Sequence, residues 1–254
     1  MMEFQILDYD VLTSTNDEAK RLALAGAAEG TVVRAAKQTA GRGRQGRRWL
    51  DERGACLMFS LLLRPPLAVA EASAWTLVVG IGVCRALSRL TDADVRVKWP
   101  NDIVASGQKL CGILAEQSAE ENRVRHVVTG IGVNMNQTGF DEEIREKAVS
   151  MRLLVGHVFD ADTVLAAILS ELDALYSRFL EEGFTGLVEE YNALCVNVNA
   201  EVCVRNARRS AADWEGIARG VDAAGNLLVE TANGECACVS SGEVSVRMAD
   251  GRYA

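Results

Sequence analysis

The sequence predicts an α+β protein in two parts. Strands and helices intermix over residues 1–195, and a small β-barrel module fills 196–254. Three observations predict this. Apolar runs of strand length alternate with stretches of helical period as far as Leu194. Beyond Cys195 the texture changes to short strands separated by turns, over about sixty residues. The chain is also 254 residues long, 49% hydrophobic and holds only 3 Pro, so it can bury a core without disulfide staples and is neither disordered nor proline-rich.

Taken in order, residues 4–7 read as a short strand. Ser14-Thr15-Asn16-Asp17-Glu18 opens a helix, Thr15 with Glu18 fits a capping box, and Gly26 is the stop. Residues 31–38 are β-rich. Residues 39–54 hold four Gly and five Arg with neither period, and are a loop. The nearly continuous apolar run 55–63 predicts a strand buried on both faces. Residues 68–90 predict one long helix. Strands follow at 95–99, 103–104 and 110–116, the last two joined by a turn at Ala105-Ser106-Gly107-Gln108, then another at 123–134. Residues 160–180 and 184–194 are helical by period. In the last part the strands are 196–204, 214–221, 226–230, 236–240 and 243–247, with hairpin signals at Ala224-Gly225-Asn226 and Asn233-Gly234.

Charge and cysteine usage exclude several classes. Lys and Arg total 27 against 35 Asp and Glu, a net charge of −8, which suits neither a general DNA nor an RNA coat. The first residues lack a basic segment ahead of an apolar run, so no secretory signal is predicted. Glu71, Arg85 and Arg89 interrupt the apolar stretch 68–90, which reads as a buried helix and not a membrane span. Seven scattered Cys, an odd number, look like reduced cysteines and place the protein in the cytoplasm. Only Cys236-Ala237-Cys238 is closely spaced. With just two His, at 126 and 157, neither a zinc quartet nor a His-based triad is expected.

The most informative stretch is Gly41-Arg42-Gly43-Arg44-Gln45-Gly46-Arg47-Arg48-Trp49. It contains G-x-G-x-x-G, but the dinucleotide-binding fingerprint must open a helix, and here the glycines lead into Trp49 and a strand. A kinase loop would need Val where Arg48 stands. An RNA-binding Arg-Gly segment would be long and repetitive. The physical reading is an anion loop. Arg42, Arg44, Arg47 and Arg48 put four cations into seven residues of an acidic chain. Glycines between them let backbone N–H groups face a ligand, and arginine forks match phosphate and carboxylate oxygens. A solvated basic loop is the alternative.

Two further elements stand out. Lys98-Trp99-Pro100-Asn101-Asp102 ends a strand in a turn, and Lys109 begins an apolar strand containing Gly112. Gly130-Ile131-Gly132-Val133-Asn134 closes another strand with two glycines one residue apart, a surface on which something flat can lie. Taken singly, Lys109 reads equally as a snorkelling surface lysine, Asp102 as a turn former and 130–136 as a bulged strand end. The residues alone leave these readings open.

Together the stretches resemble the biotin–protein ligase family. Six match in order: Ser14 to Asp17, Gln38 to Trp49, Lys98 to Asp102, Lys109 to Glu116, Gly130 to Asn136, and Gly242-Glu243-Val244-Ser245-Val246-Arg247. The resemblance implies a mixed central sheet flanked by helices, like the class II synthetases, and an SH3-like C-terminal module. It implies a short form without the N-terminal DNA-binding domain, and so no DNA partner. The expected activity joins biotin to ATP as biotinyl-5′-adenylate, with Mg2+. It then moves biotin to one lysine of a biotin carboxyl carrier domain. Ser14, Thr15, Asn16 and Gln38 would hold the biotin head group. Arg42, Gly43 and Arg44 would cover its tail and the adenylate phosphate. Lys109 would contact the carboxylate and the α-phosphate, and Gly112 would leave the tail room. Asn134 would approach the adenine, Lys98 and Arg47 would face the pyrophosphate, and Asp102 the acceptor lysine. The resemblance assigns no magnesium ligands. Relatives often dimerise by joining sheets, so a homodimer is within expectation. Gln45 stands where many relatives carry a basic residue. Cys111 stands where a small residue such as alanine is common, which leaves open whether the site is oxidisable. A lipoate or octanoate transferase shares the fold class but lacks the Gly-Arg-Gly-Arg loop. A non-catalytic biotin or adenylate sensor would not need both Lys109 and the arginines.

Overall fold

The computed structural model describes residues 2–47, 49, 53–206, 212–240, 244–248 and 253. Arg48 of the loop, and Gly242 and Glu243 of the terminal stretch, lie outside the described residues. Strand β1 (Gln5–Leu12) leads into helix α1 (Thr15–Leu24), which crosses over to β2 (Thr31–Gln38). The crossover makes β1 and β2 parallel. β3 (Cys56–Leu63) follows the arginine-glycine loop and is buried along its whole length, as its unbroken apolar run predicts. After α2 (Val69–Ala72) and α3 (Trp75–Thr91) come β4 (Val95–Lys98), β5 (Asp102–Ala105), β6 (Gln108–Glu120) and β7 (Arg123–Asn134). The first sheet runs β1-β2-β3-β7-β6-β5-β4 and is mixed: every pair but the first is antiparallel.

Side-chain alternation along β3 shows how the layers form. Leu57, Phe59, Leu61 and Leu63 enter the main core with α3 and with α5 (Ala161–Glu182), which follows the short α4 (Met151–Val155). Leu62, on the other face, packs with Ala19 and Ala23 of α1. Met58 and Ser60 share that second face; Met58 meets Gln38 at the end of β2 and Ser60 reaches the start of α1, where the polar part of the site is built.

Helix α6 (Val188–Leu194), entered through a 3-10 turn at Phe184–Leu187, precedes the second sheet. Its strands are β8 (Glu201–Asn206), β9 (Trp214–Val221), β10 (Leu227–Glu230), β11 (Cys236–Val239) and β12 (Val244–Met248), all antiparallel in the order β11-β10-β9-β8-β12. Gly225 and Gly234, flagged in the sequence as hairpin turns, take φ of 82° and 83°. Two hydrogen bonds fasten this sheet over the β4–β5 hairpin. The Trp99 indole donates to the Gly225 carbonyl at 3.0 Å, and the Trp99 N–H to Asn197 Oδ1 at 2.9 Å.

Several expectations change. The single helix over 68–90 is two helices, turned at Ser73 and Ala74. The turn lets Val69 and Ala68 bond to the β6–β7 hairpin while Trp75 enters the core. There Trp75 packs edge-on against Tyr176 at 5.4 Å and donates to Thr129 at 3.0 Å. Among the described residues this is the one stretch long and apolar enough to cross a membrane, and most of it is buried inside the fold. The capping box is absent. Ser14 is the N-cap and makes no side-chain cap, the Thr15 hydroxyl bonds elsewhere, and Glu18 pairs with Tyr9 and Arg21. β8 begins only at Glu201, because residues 196–200 turn across the edge of β4. Among the described residues no His, Cys, Asp and Glu cluster has the makings of a metal site.

Candidate active site

Where α1 begins, Ser14, Thr15 and Asn16 are all buried although polar. Buried polar groups need partners, and Thr15 and Asn16 have them. Gln38 Oε1 accepts from the Thr15 backbone N–H at 2.7 Å and its hydroxyl at 3.2 Å. The Asn16 amide donates to the Leu114 carbonyl at 3.2 Å and to Glu116 Oε2 at 2.7 Å, and Glu116 is in turn held by Lys20. Ser60 donates to Asn16 Oδ1 at 2.6 Å and lies 2.8 Å from Thr15 Oγ1. The result is a rigid polar shelf at one end of a cavity. Ser60 and Glu116 were missed as parts of it. Ser60 is the single polar residue inside the apolar run of β3, and that was the available signal.

The arginine-glycine loop closes over the shelf. Gln45 and Gly46 take φ of 57° and 71°, which turns the chain so that the Gly43 N–H reaches the Arg47 carbonyl at 2.7 Å. Arg42 forks onto the Asp17 carboxylate, pinning the loop to the first turn of α1. Arg44 reaches across to Asn101 Oδ1 at 3.1 Å. Burial pulls the Arg44 guanidinium below its usual pKa, against the pull of Asp102. Trp49 lies flat on the two facing glycines of β6 and β7. A Cβ at Gly112 would come within 2.8 Å of its ring and one at Gly132 within 2.7 Å. Its indole nitrogen is buried with no hydrogen-bond partner among the described residues. The sequence pointed to a flat group on this platform. It did not point to Trp49 as the group lying there.

The β4–β5 pairing sets Lys98 beside Asp102. The Asp102 carboxylate is held at both oxygens, Oδ1 by Lys109 Nζ at 2.5 Å and Oδ2 by the Tyr253 hydroxyl at 2.5 Å. Burial pushes the Asp102 pKa up, but Lys109, the Tyr253 hydroxyl and Lys98 together outweigh it and keep the group below the usual carboxylate range. Lys98 is 2% exposed, and burial, helped by Arg247, pushes its ammonium down to about 7. Its Nζ sits 3.7 Å from the centre of the Tyr253 ring. Among the described residues six cations line the cavity (Arg42, Arg44, Arg47, Lys98, Lys109 and Arg247) against one carboxylate, Asp102. Such a cavity takes anions, and more than one.

Thus all but one of the expected site residues line one cavity: Ser14, Thr15, Asn16, Gln38, Arg42, Gly43, Arg44, Arg47, Lys98, Asp102, Lys109 and Gly112. Asn134 is the exception. Its amide donates to the Lys109 and Val149 carbonyls at 3.2 Å each and accepts from Gln137 at 3.1 Å, so it braces the backbone that carries Lys109. The structure also bears on Cys111. It is fully buried and burial pushes its thiol well up, which disfavours the reactive thiolate. Arg247, Trp49 and Tyr253 had no role assigned from the sequence. The donor set does not fit a magnesium ion held by protein alone, because the one cavity carboxylate is already occupied at both oxygens. Magnesium ordinarily keeps several waters and binds through substrate phosphates.

The Biotin/lipoate A/B protein ligase family model matches residues 9–134, and the Biotin protein ligase C terminal domain model matches 206–247. The bifunctional ligase/repressor BirA of Bacillus subtilis is 37% identical over 238 residues, 92% of this chain and 72% of that protein. The biotin–[acetyl-CoA-carboxylase] ligase of Mycobacterium tuberculosis is 33% identical, over 91% of this chain and 85% of that one. The biotin protein ligase of Aquifex aeolicus, solved with biotin and ATP, superposes with a TM-score of 0.81 at 28% identity, covering 96% of this chain and 99% of that one. The chain belongs to the biotin–protein ligase family of enzymes.

Proposed function

We propose that this protein activates biotin with ATP, forming biotinyl-5′-adenylate and pyrophosphate, and then transfers biotin to a lysine of a biotin carboxyl carrier domain in the cytoplasm. The observation that carries the reading is the cavity itself: a polar shelf, a flat glycine platform and six cations around one carboxylate.

The chemistry must bring a carboxylate against a triphosphate. Two unit charges 4 Å apart repel by about 4 kcal/mol at an effective dielectric near 20. Fixed cations between them offset that term and stabilise charge developing on the α-phosphate. Lys109 takes this role in the proposal, supported by its projection beside the glycine platform. Thr15, Asn16, Gln38 and Ser14 hold the polar head group, and Gly112 leaves space for the tail. Arg42, Gly43 and Arg44 cover the tail and the adenylate phosphate. Lys98, Arg47 and Arg247 receive the pyrophosphate. Trp49 lies where a flat ligand would rest, so it shifts or stacks when one enters.

In the second step the incoming lysine has an ordinary pKa near 10.4 and arrives charged. Asp102, an ionised carboxylate among cations, orients that ammonium beside the anhydride and takes one proton to free the attacking lone pair; the second proton passes to the departing adenylate phosphate or to water as the amide forms. Adenylate leaves with the electron pair of the broken acyl–phosphate bond. DNA has no part in this proposal, since the cations cluster inside a cavity of a chain with net charge −8.

The test incubates the protein with ATP, labelled biotin and a carrier domain. Label on the carrier, dependent on all three, is expected. Label only when lipoate or octanoate replaces biotin would overturn the reading in favour of an acyl transferase of related fold.

A further inference from the structure

Tyr253 enters the site from beyond β12. Its hydroxyl donates to Asp102 Oδ2 at 2.5 Å, and its ring faces Lys98 Nζ at 3.7 Å and Arg247 Cζ at 5.1 Å. It therefore touches the carboxylate assigned to the acceptor amine and two of the cations assigned to pyrophosphate. Its partner on the other Asp102 oxygen is Lys109, also at 2.5 Å.

We infer that Tyr253 is a positioning residue for the transfer step, keeping Asp102 oriented once Lys109 has turned to the substrate anions. The inference rests on the proposed function. Turning toward the biotin carboxylate and the α-phosphate draws the Lys109 ammonium, with its three N–H donors, away from Asp102 Oδ1. When it leaves, Oδ1 is freed for the acceptor ammonium. A carboxylate released on both sides would rotate and lose its aim. The Tyr253 hydroxyl on Oδ2 holds the plane. Burial and the neighbouring Asp102 push the phenol well above its usual pKa, so it remains a donor at neutral pH and does not compete as a base. Among the described residues the charged and titratable groups facing Asp102 are Lys109, Lys98, Arg44, Tyr253 and, buried behind it, Cys111 and Tyr191. The ring has a separate effect: it gives the buried Lys98 ammonium an aromatic face in place of water.

Tyr253→Phe keeps the ring and removes only the hydroxyl, and Tyr253→Leu removes both. Activation is read by biotin-dependent ATP–pyrophosphate exchange, and transfer by single-turnover labelling of a carrier domain from protein loaded with biotinyl-5′-adenylate. Tyr253→Phe should leave exchange within about twofold and slow transfer about tenfold, the loss expected of one hydrogen bond to a charged group. The fall should lie in the transfer rate and not in the KM for the carrier. The acid limb of the transfer profile should move to higher pH, because the hydroxyl helps hold the Asp102 pKa down. Tyr253→Leu should add a raised KM for ATP. Wild-type transfer in Tyr253→Phe, or equal losses in both half-reactions, would overturn the inference while leaving the proposed function standing. A wild-type protein silent in both half-reactions would overturn the proposed function and this inference with it.

Discussion

Lys98 should couple ATP binding to proton uptake. It is buried beside Arg247 and its pKa lies at about 7, so at pH 8 only about one molecule in eleven carries the charge. A triphosphate set against it restores the charged form and raises that pKa. The sign follows directly. Binding is tightest where Lys98 is already protonated, and it weakens as pH rises through the free value, levelling off above the bound one. If ATP restores the ordinary lysine value near 10.4, affinity for ATP falls about 24-fold from pH 7.5 to pH 9. ATP's own phosphates are almost fully ionised across that range and add little slope. The assay is the KM for ATP in pyrophosphate exchange at saturating biotin, measured at half-unit pH intervals. Lys98→Arg is the control, since arginine stays charged throughout and its profile should be flat. A flat wild-type profile, or the same slope in Lys98→Arg, would refute the reasoning.

Two further outcomes follow from the loop and the platform it covers. Gly132→Ala puts a methyl 2.7 Å from the Trp49 ring, well inside ordinary contact. Because the ring belongs to a loop, the fold should yield there and not unfold. Thermal denaturation should therefore change little, while the KM for biotin or ATP rises about tenfold, within the usual cost of overpacking; a large loss of melting temperature with unchanged KM would place the glycine in folding alone. Arg44→Gly should make the site leak. The mutant should still form adenylate, which escapes roughly 10- to 150-fold faster for the loss of one charge-assisted bond and labels added albumin. Loss of activation without albumin labelling would assign Arg44 to chemistry and leave retention to the rest of the loop.

Much of the fold was legible because local pattern and burial agree in it. The run Cys56–Leu63 has one polar residue and became a fully buried strand, and Arg123–Asn134 and Trp214–Val221 took their expected limits. Where tertiary demands override local ones, the sequence misled. Residues 68–90 have uniform helical character, yet Trp75 must enter the core while Val69 bonds to Asn122, and one straight helix cannot do both. Thr15 has capping chemistry, but the shelf takes its hydroxyl. The short α4 could have been read from Ser150 as N-cap and Gly156 at φ 82°. Within the site, the residues of short motifs were visible from spacing and charge. Trp49 on the glycines, Tyr253 on Asp102 and Asn134 under Lys109 arise from contacts between distant segments, for which no local pattern exists. Asn134 carries the lesson: a motif residue can serve the site by bracing the strand behind it.

In the proposed reaction one cationic cavity drives the carboxylate of biotin onto ATP, with Lys109 as the cation touching both. Biotin-dependent exchange of labelled pyrophosphate into ATP, compared between wild type and Lys109→Ala of equal thermal stability, tests it most directly. Exchange is expected in the wild type only when biotin is present, and none above background in Lys109→Ala. Exchange that ignores biotin, or that survives unchanged without Lys109, would contradict it.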